Sequence, residues 1–285
     1  LKDEGMTDTP IIAVLQFPGS NCESETARAL RWVGLQAEVF RWNRPAAQLA
    51  HFDGYIVPGG FSYEDRVRAG VIAAKEPLLD QLATEAEQGK PILGICNGAQ
   101  ILLETGLVPG LHPGKVEMAL ARNYMTHQGH VVRRGHHCSW VNLRCEVAAE
   151  RTPFTGGLNA GVVSPMTVSH GEGRFTTNNT ELLQELERNN QIVWRYCNDA
   201  TETPEGLPTN PNGSLSNIAG LCNPKGNVTA LMPHPERSFF LRQTPPIWAG
   251  AWGDKRRAAA GKAEQWDEPG PGYSVFSSLK QYFSQ

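Results

Sequence analysis

The 285-residue sequence has no surplus of basic residues. Its 26 Lys and Arg face 29 Asp and Glu, for a formal net charge of −3 and a pI near 6.3. That balance excludes the electropositive footprint of a nucleic-acid-binding domain. The short basic runs at Arg133–Arg134 and Lys255–Arg257 read as solvated surface. Long hydrophobic runs are also missing. The longest apolar stretch, Ile92 to Leu103, contains Asn97 and Gln100 and reaches about half a membrane span. Leu1 to Pro10 is polar and acidic and lacks the apolar core of a signal peptide. Met6 is therefore the expected natural start, with five upstream residues before it, and the cytoplasm is the expected compartment. There disulfides are rare, so the six cysteines are expected to be thiols. Also absent are Cys-x-x-Cys, His-Glu-x-x-His, a phosphate-binding loop and a Gly-x-Gly-x-x-Gly after the first strand. These absences argue against a zinc framework, bound ATP in this chain and a dinucleotide fold. His127, His130, His136, His137 and Cys138 cluster in sequence but read as structural or surface residues, with no metal expected. No internal repeat or low-complexity tract is present.

What is present is an ordinary globular composition, 40% hydrophobic and 19% charged, with 29 Gly and 20 Pro. The excess of Gly and Pro has no period and implies many turns. Ile11–Phe17 reads as a buried strand stopped by Pro18-Gly19, followed by a helix that Ser20 or Asn21 could cap. Further strands are expected at Ala37–Trp42, Tyr55–Val57 and Pro91–Ile95, with helices at about Val67–Gln88 and Gly98–Glu104. This alternation predicts an α/β domain with a mostly parallel central sheet and helices on both faces. The second half reads as added strands: two or more within Val131–Val147, then Val162–Ser169, Ile192–Cys197, Ile218–Cys222 and Val228–Met232. Asn212-Gly213 is a turn signal. Leu241 to Gly272 is loop-rich, and a short amphipathic helix is expected near Ser274–Phe283. Residues 1–10 read as a tail and 11–285 as one domain with a C-terminal insertion at about 238–272.

Gly94-Ile95-Cys96-Asn97-Gly98 lies between an apolar strand and a helical pattern. That is the nucleophile-elbow arrangement with Cys in place of Ser. The strained turn requires small residues two positions away on each side, which Gly94 and Gly98 supply. The helix N-terminus would favour the thiolate, and the Asn97 N–H would face a developing oxyanion. The alternative is a structural cysteine at a strand end. Pro233-His234-Pro235-Glu236 offers a base and its orienting acid, since residues i and i+2 of an extended segment share a face. The alternative here is a rigid surface turn. Pro58-Gly59-Gly60-Phe61 would supply a second backbone oxyanion donor. Cys22, Cys145, Cys197 and Cys222 read as packing residues.

With these residues in place, the chain resembles the class I, or triad, glutamine amidotransferases. Within them it is similar to the branch that forms the glutaminase subunit of phosphoribosylformylglycinamidine synthase. The matching segments are Phe17-Pro18-Gly19-Ser20-Asn21-Cys22, Pro58 to Tyr63, Arg68-Ala69-Gly70, Gly94 to Gln100, His170 to Arg174, Asn210 to Ser214 and Met232 to Arg237, in family order. The resemblance implies a flavodoxin-like fold and a triad of Cys96 nucleophile, His234 base and acid, and Glu236 orienter. It also implies an oxyanion hole from Gly60 and Asn97, and Gln100 and His170 as glutamine-binding residues. It implies ammonia delivery to a separate synthetase subunit, in some systems with a small third subunit. ATP and Mg would be bound by the synthetase, with no cofactor in this chain. Two other readings of the residues are a cysteine hydrolase of the deglycase-like group and a non-enzymatic scaffold subunit. The His-Pro-Glu segment argues against the first and the intact triad against the second. Two departures stand out. Glu64 occupies a position where the family often has Gly, beside the site or the partner surface. Ser238 to Gly272 exceeds the compact form and is expected on the partner-facing rim.

Overall fold

The computed structural model describes residues 9–285, so the expectation for Met6 and most of the expected tail lie outside the described residues. The chain runs β1 (Ile11–Gln16), α1 (Glu23–Trp32), β2 (Gln36–Arg41), β3 (Gly54–Val57), α2 (Pro77–Glu87), β4 (Ile92–Ile95) and α3 (Asn97–Glu104). It continues with β5 (Ala119–Ala121), β6 (Tyr124–His127), β7 (His130–Arg134), β8 (His137–Cys145), β9 (Val163–His170), β10 (Arg174–Thr176) and α4 (Thr180–Arg188). It ends with β11 (Ile192–Cys197), β12 (Ile218–Cys222), β13 (Val228–Leu231), α5 (Ala251–Ala258) and α6 (Tyr273–Tyr282).

One nine-stranded sheet organises the molecule, in the order β2-β1-β3-β4-β13-β12-β11-β8-β9. The pairs from β2 through β13 are parallel. The pairs from β13 through β9 are antiparallel. The apolar runs of β3, β4 and β13 are buried at every position, as strands covered on both faces must be. α1 packs against β1, β2 and α6, while α3 packs against β3, β4, β5 and β13. Two small antiparallel ribbons, β10 with β5 and β6 with β7, stand outside the main sheet. Among the described residues no helix is long and apolar enough to cross a membrane.

Several local expectations are corrected. The helix expected from Val67 begins only at Pro77, after a single 3-10 turn at Ala73–Lys75. Pro77 has no N–H to give and holds Glu76 extended at φ −68°, ψ 138°, so no helix can run through it from Val67. Neither Ser20 nor Asn21 caps α1; Cys22 takes that position, and the Ser20 hydroxyl accepts from the Phe17 N–H instead, at 3.0 Å. Asn212-Gly213 turns inside a buried loop rather than between strands, where Asn210 Oδ1 accepts from both backbone N–H groups. Pro235–Arg237 forms a 3-10 turn, so only His234 keeps the extended conformation expected of the whole segment.

The C-terminal stretch is more regular than its composition suggested, since it holds α5. It leaves and rejoins the domain through a narrow neck. Gly270 N–H donates to Phe239 O at 2.7 Å and Gly272 N–H to Ser238 O at 2.8 Å, while Leu241 N–H donates to Glu268 O at 2.8 Å. At the neck Trp32 of α1 meets Phe239, Phe240 and Tyr273 edge-on, with ring centroids 5.7, 6.0 and 5.6 Å apart. Each such pair adds about 0.5–1.5 kcal/mol beyond area burial. Farther out, Trp248 reaches back to Trp140 of β8 at 6.0 Å.

Candidate active site

The segments that follow β1, β3, β4 and β13 emerge at one end of the parallel half of the sheet, where open α/β sheets bind ligands. β4 delivers Cys96. Its backbone is strained, at φ 50° and ψ −103°, and its N–H is tied to Leu231 O at 2.8 Å. The elbow depends on its glycines. A Cβ on Gly94 would lie 2.6 Å from Gly98 O, and one on Gly98 would lie 1.8 Å from Val57 O. Cys96 stands at the head of α3, whose first N–H groups have no partner within the helix. Its Sγ lies 3.7 Å from the Ser169 carbonyl.

β13 delivers His234 and Glu236. The His234 N–H is held by Thr167 O of β9 at 2.8 Å. Nδ1 donates to Glu236 Oε1 at 2.6 Å, with side-chain exposures of 3% and 0%. Burial alone would lower the imidazole, but the Glu236 carboxylate, then Cys96 and Cys22, hold it well above its usual value. The buried Nε2 carries no hydrogen bond. Catalytic hydrogen bonds often close only when substrate binds.

Gly60 borders the same cleft as Cys96, and Asn97 follows Cys96 as the first residue of α3. Asn97 Oδ1 accepts from the Ser62 N–H at 3.1 Å, which ties the Gly60 loop to the elbow. Asn97 Nδ2 donates to Gln100 Oε1 at 2.9 Å, and Gln100 Nε2 donates to Glu172 O at 2.6 Å. Gln100 therefore braces the His170–Arg174 segment with one end of its amide. His170 is fully buried, and burial first, then the neighbouring histidines, push it down to about 3. Asn123 Nδ2 donates to His170 O at 2.7 Å and to Gly135 O at 3.1 Å and lies 3.2 Å from the ring Nδ1, while the buried Nε2 has no partner. A cleft of about 720 Å³ opens beside these groups, bordered by Gly60, Cys96, Gln100 and His170 and by both acidic and basic residues. Asp65 and Glu172 supply the acids, and Arg122, Arg134 and Arg174 the cations. Burial, and then the nearby Glu172, push Asp65 up to about 6.

Reading the residues alone missed part of this site. Cys22, expected only to pack, stands 4.0 Å from His234 Nδ1 and 3.1 Å from Arg237 Nη2. None of the six cysteines forms a disulfide. Cys22 Sγ, His234 Nδ1 and a Glu236 oxygen lie within 4.8 Å of one another, the one such group of potential ligands among the described residues. The Arg237 guanidinium against the sulfur opposes a cation there, and Nδ1 and Oε1 already share a proton. Glu64 sits at φ 60°, a conformation that favours glycine, and its exposed carboxylate pairs with Arg66 at 2.9 Å. It makes no contact with the triad, whereas its neighbour Asp65 borders the cleft.

Residues 9–283 match the family described as the CobB/CobQ-like glutamine amidotransferase domain. The phosphoribosylformylglycinamidine synthase subunit PurQ of Methanothrix thermoacetophila is 45% identical over 274 residues, covering 96% of this chain and 98% of that protein. The PurQ subunit of Thermomicrobium roseum is 46% identical over 231 residues, 80% of this chain and 87% of its own. Among solved structures, a chain of PurLQS from Thermotoga maritima matches with a TM-score of 0.68 and 31% identity, covering 96% of this chain and 99% of that one. A glutamine amidotransferase from Thermotoga maritima, 16% identical with a TM-score of 0.51, shares the fold, covering 97% of this chain and 98% of its own. The chain belongs to the CobB/CobQ-like glutamine amidotransferase family, within its PurQ branch.

Proposed function

We infer that this protein hydrolyses glutamine to glutamate and ammonia and passes the ammonia to the synthetase subunit of phosphoribosylformylglycinamidine synthase. There ATP and Mg would drive conversion of formylglycinamide ribonucleotide to the amidine, a step of purine synthesis in the cytoplasm. The observation that carries the reading is the pairing of His234 with Glu236 at 2.6 Å at the same sheet end as the Cys96 elbow. On this reading Cys96 gives its proton to His234 Nε2 and its Sγ attacks the side-chain amide carbon. The oxygen of the tetrahedral intermediate takes the N–H groups of Gly60 and Asn97. His234, its Nδ1–H held by Glu236, gives a proton to the departing ammonia and leaves a thioester. His234 then takes a proton from water, whose oxygen joins the acyl carbon; the C–S bond breaks, the sulfur regains that proton from His234, and glutamate leaves.

The mixed charge around the cleft suits an amino acid, which carries an ammonium and a carboxylate. Gln100 and His170 are proposed to line the path of the substrate, His170 as a neutral imidazole. The partner is the synthetase subunit, with a small third subunit as a further component of the complex. The 238–272 insertion is proposed to lie on the rim that faces the partner, and a cross-linking map that leaves it remote from the synthetase would remove that part. The central experiment measures glutamine hydrolysis with and without candidate synthetases and scores which acceptor gains nitrogen. Cys96→Ala is expected to abolish turnover with the fold intact; residual wild-type-like turnover would sink the reading.

A further inference from the structure

Two cationic groups stand beside one buried carboxylate, whose Oε2 has no partner. His234 Nδ1 lies 2.6 Å from Glu236 Oε1, and Arg237 Nε lies 4.0 Å from the same atom. A guanidinium free to move would close on that carboxylate, since a buried charge-assisted pair is strong. Other anchors hold it back. Arg237 Nη2 donates to Cys22 Sγ at 3.1 Å and to Asn21 Oδ1 at 3.4 Å, and Nε lies 3.5 Å from Glu25 Oε1. The sulfur is itself fixed. Cys22 is 1% exposed, its thiol donates to Asn21 Oδ1 at 3.1 Å, and the N–H groups of Asn21 and Cys22 both reach Gly59 O at 3.2 Å.

We propose that Cys22 is a positioning residue for the glutaminase reaction: it anchors Arg237 away from Glu236 and so reserves the carboxylate for His234. The inference rests on the glutaminase reading above. The groups that face the imidazole are Cys96 from the elbow, Cys22 from the head of α1, His170 from β9, and Glu236 and Arg237 from its own turn. Burial pushes the Cys22 thiol up, so the sulfur acts as a neutral group. Without it the guanidinium closes on the carboxylate, whose Oε2 is buried and unpartnered, its positive charge offsets the hold of Glu236 on the imidazolium, and His234 gives up its proton at lower pH. The ammonia then leaves with a weaker share of that proton, while glutamine binding is untouched.

The test is kcat and KM for glutamine across pH, with the full chain bound to its synthetase subunit. Cys22→Val is expected to lower kcat about tenfold, a fraction of what a general acid contributes, with KM unchanged. Its alkaline limb should move to lower pH. Cys22→Ser, which can still accept from Arg237 and donate to Asn21, should keep both kcat and the limb. Adding Arg237→Gln to Cys22→Val should move the limb back up, because the competitor is gone. Should Cys22→Val not fold, Cys22→Ala is read the same way. A valine profile that overlays the wild type, or a lost kcat with an unmoved limb, overturns the proposal. A wild-type complex that hydrolyses no glutamine overturns the glutaminase reading itself and this proposal with it; active wild type with indifferent variants overturns the proposal alone.

Discussion

Gly59 leaves the space that the His234 ring fills: a Cβ on Gly59 would stand 2.7 Å from Cε1 of the imidazole and 3.0 Å from Cys22 Sγ. The base is therefore held by Glu236 along one edge and by a bare backbone against its ring. Gly59→Ala should push the ring off line and lower kcat on the order of 10²-fold, as small misplacements of a catalytic group do. Glutamine turnover with circular dichroism as a fold control measures it, and near-wild-type kcat would contradict the packing argument.

Glu236→Gln keeps the shape of the turn and removes its charge. His234 is held above its usual value chiefly by that charge, against burial. On the proposed mechanism the protonated ring gives its proton to the departing ammonia below the raised pKa, and that form is lost as pH rises through it. Removing the charge should lower kcat by roughly 10²- to 10⁴-fold and draw the alkaline limb to lower pH. A pH–rate profile of the variant reads both effects.

Glu64→Gly tests the departure at the loop beside the cleft. Glu64 occupies φ 60°, and its side chain reaches only the exposed Arg66 among its ionic partners. Glycine adopts that conformation freely, a relief that its own unfolded-state entropy of about 0.5–1 kcal/mol offsets. Turnover should stay within about twofold and stability within about 1 kcal/mol. A large loss of activity would mean that the carboxylate itself serves the site or the partner surface.

His170 should make the protein acid-sensitive. Its folded form resists protonation down to about 3, whereas an unfolded histidine takes its proton near ~6.5. Between those values the unfolded chain binds more protons, so stability rises with pH across the window and falls as pH drops through it. Asp65, raised to about 6, acts with the opposite sign over the upper part of the same window. Urea midpoints measured at successive pH values should show a less positive slope below about 6 in His170→Gln, with the opposing contribution of Asp65 left behind.

The alternation of apolar runs with Gly- and Pro-stopped turns made the parallel half legible, because both patterns act over a few residues. Gly94 and Gly98 marked the elbow for the same reason, since each answers to a clash with Gly98 O or Val57 O within the local turn and its neighbour strand. His234 and Glu236 were legible as a pair, though a 3-10 turn rather than an extended strand brings them together. Cys22 was not, because its meaning comes from contacts 212 and 215 residues away. α5 escaped notice because it is short and polar, with Gly253 inside it. The Val67–Pro77 segment misled because its apolar residues follow helical spacing while Pro77 forbids the join.

The neck between Ser238–Leu241 and Glu268–Gly272 carries one more consequence. Its two strands of chain are zipped by backbone hydrogen bonds directly behind the turn that carries His234 and Glu236, and Gln243 Nε2 also donates to Glu236 O at 3.2 Å. Because the ends already meet, the stretch beyond them is a tethered appendage whose length can drift. Doubling such a closed loop adds only about 0.6 kcal/mol of closure entropy. This limb can thus lengthen or shorten while the turn at its root stays in register.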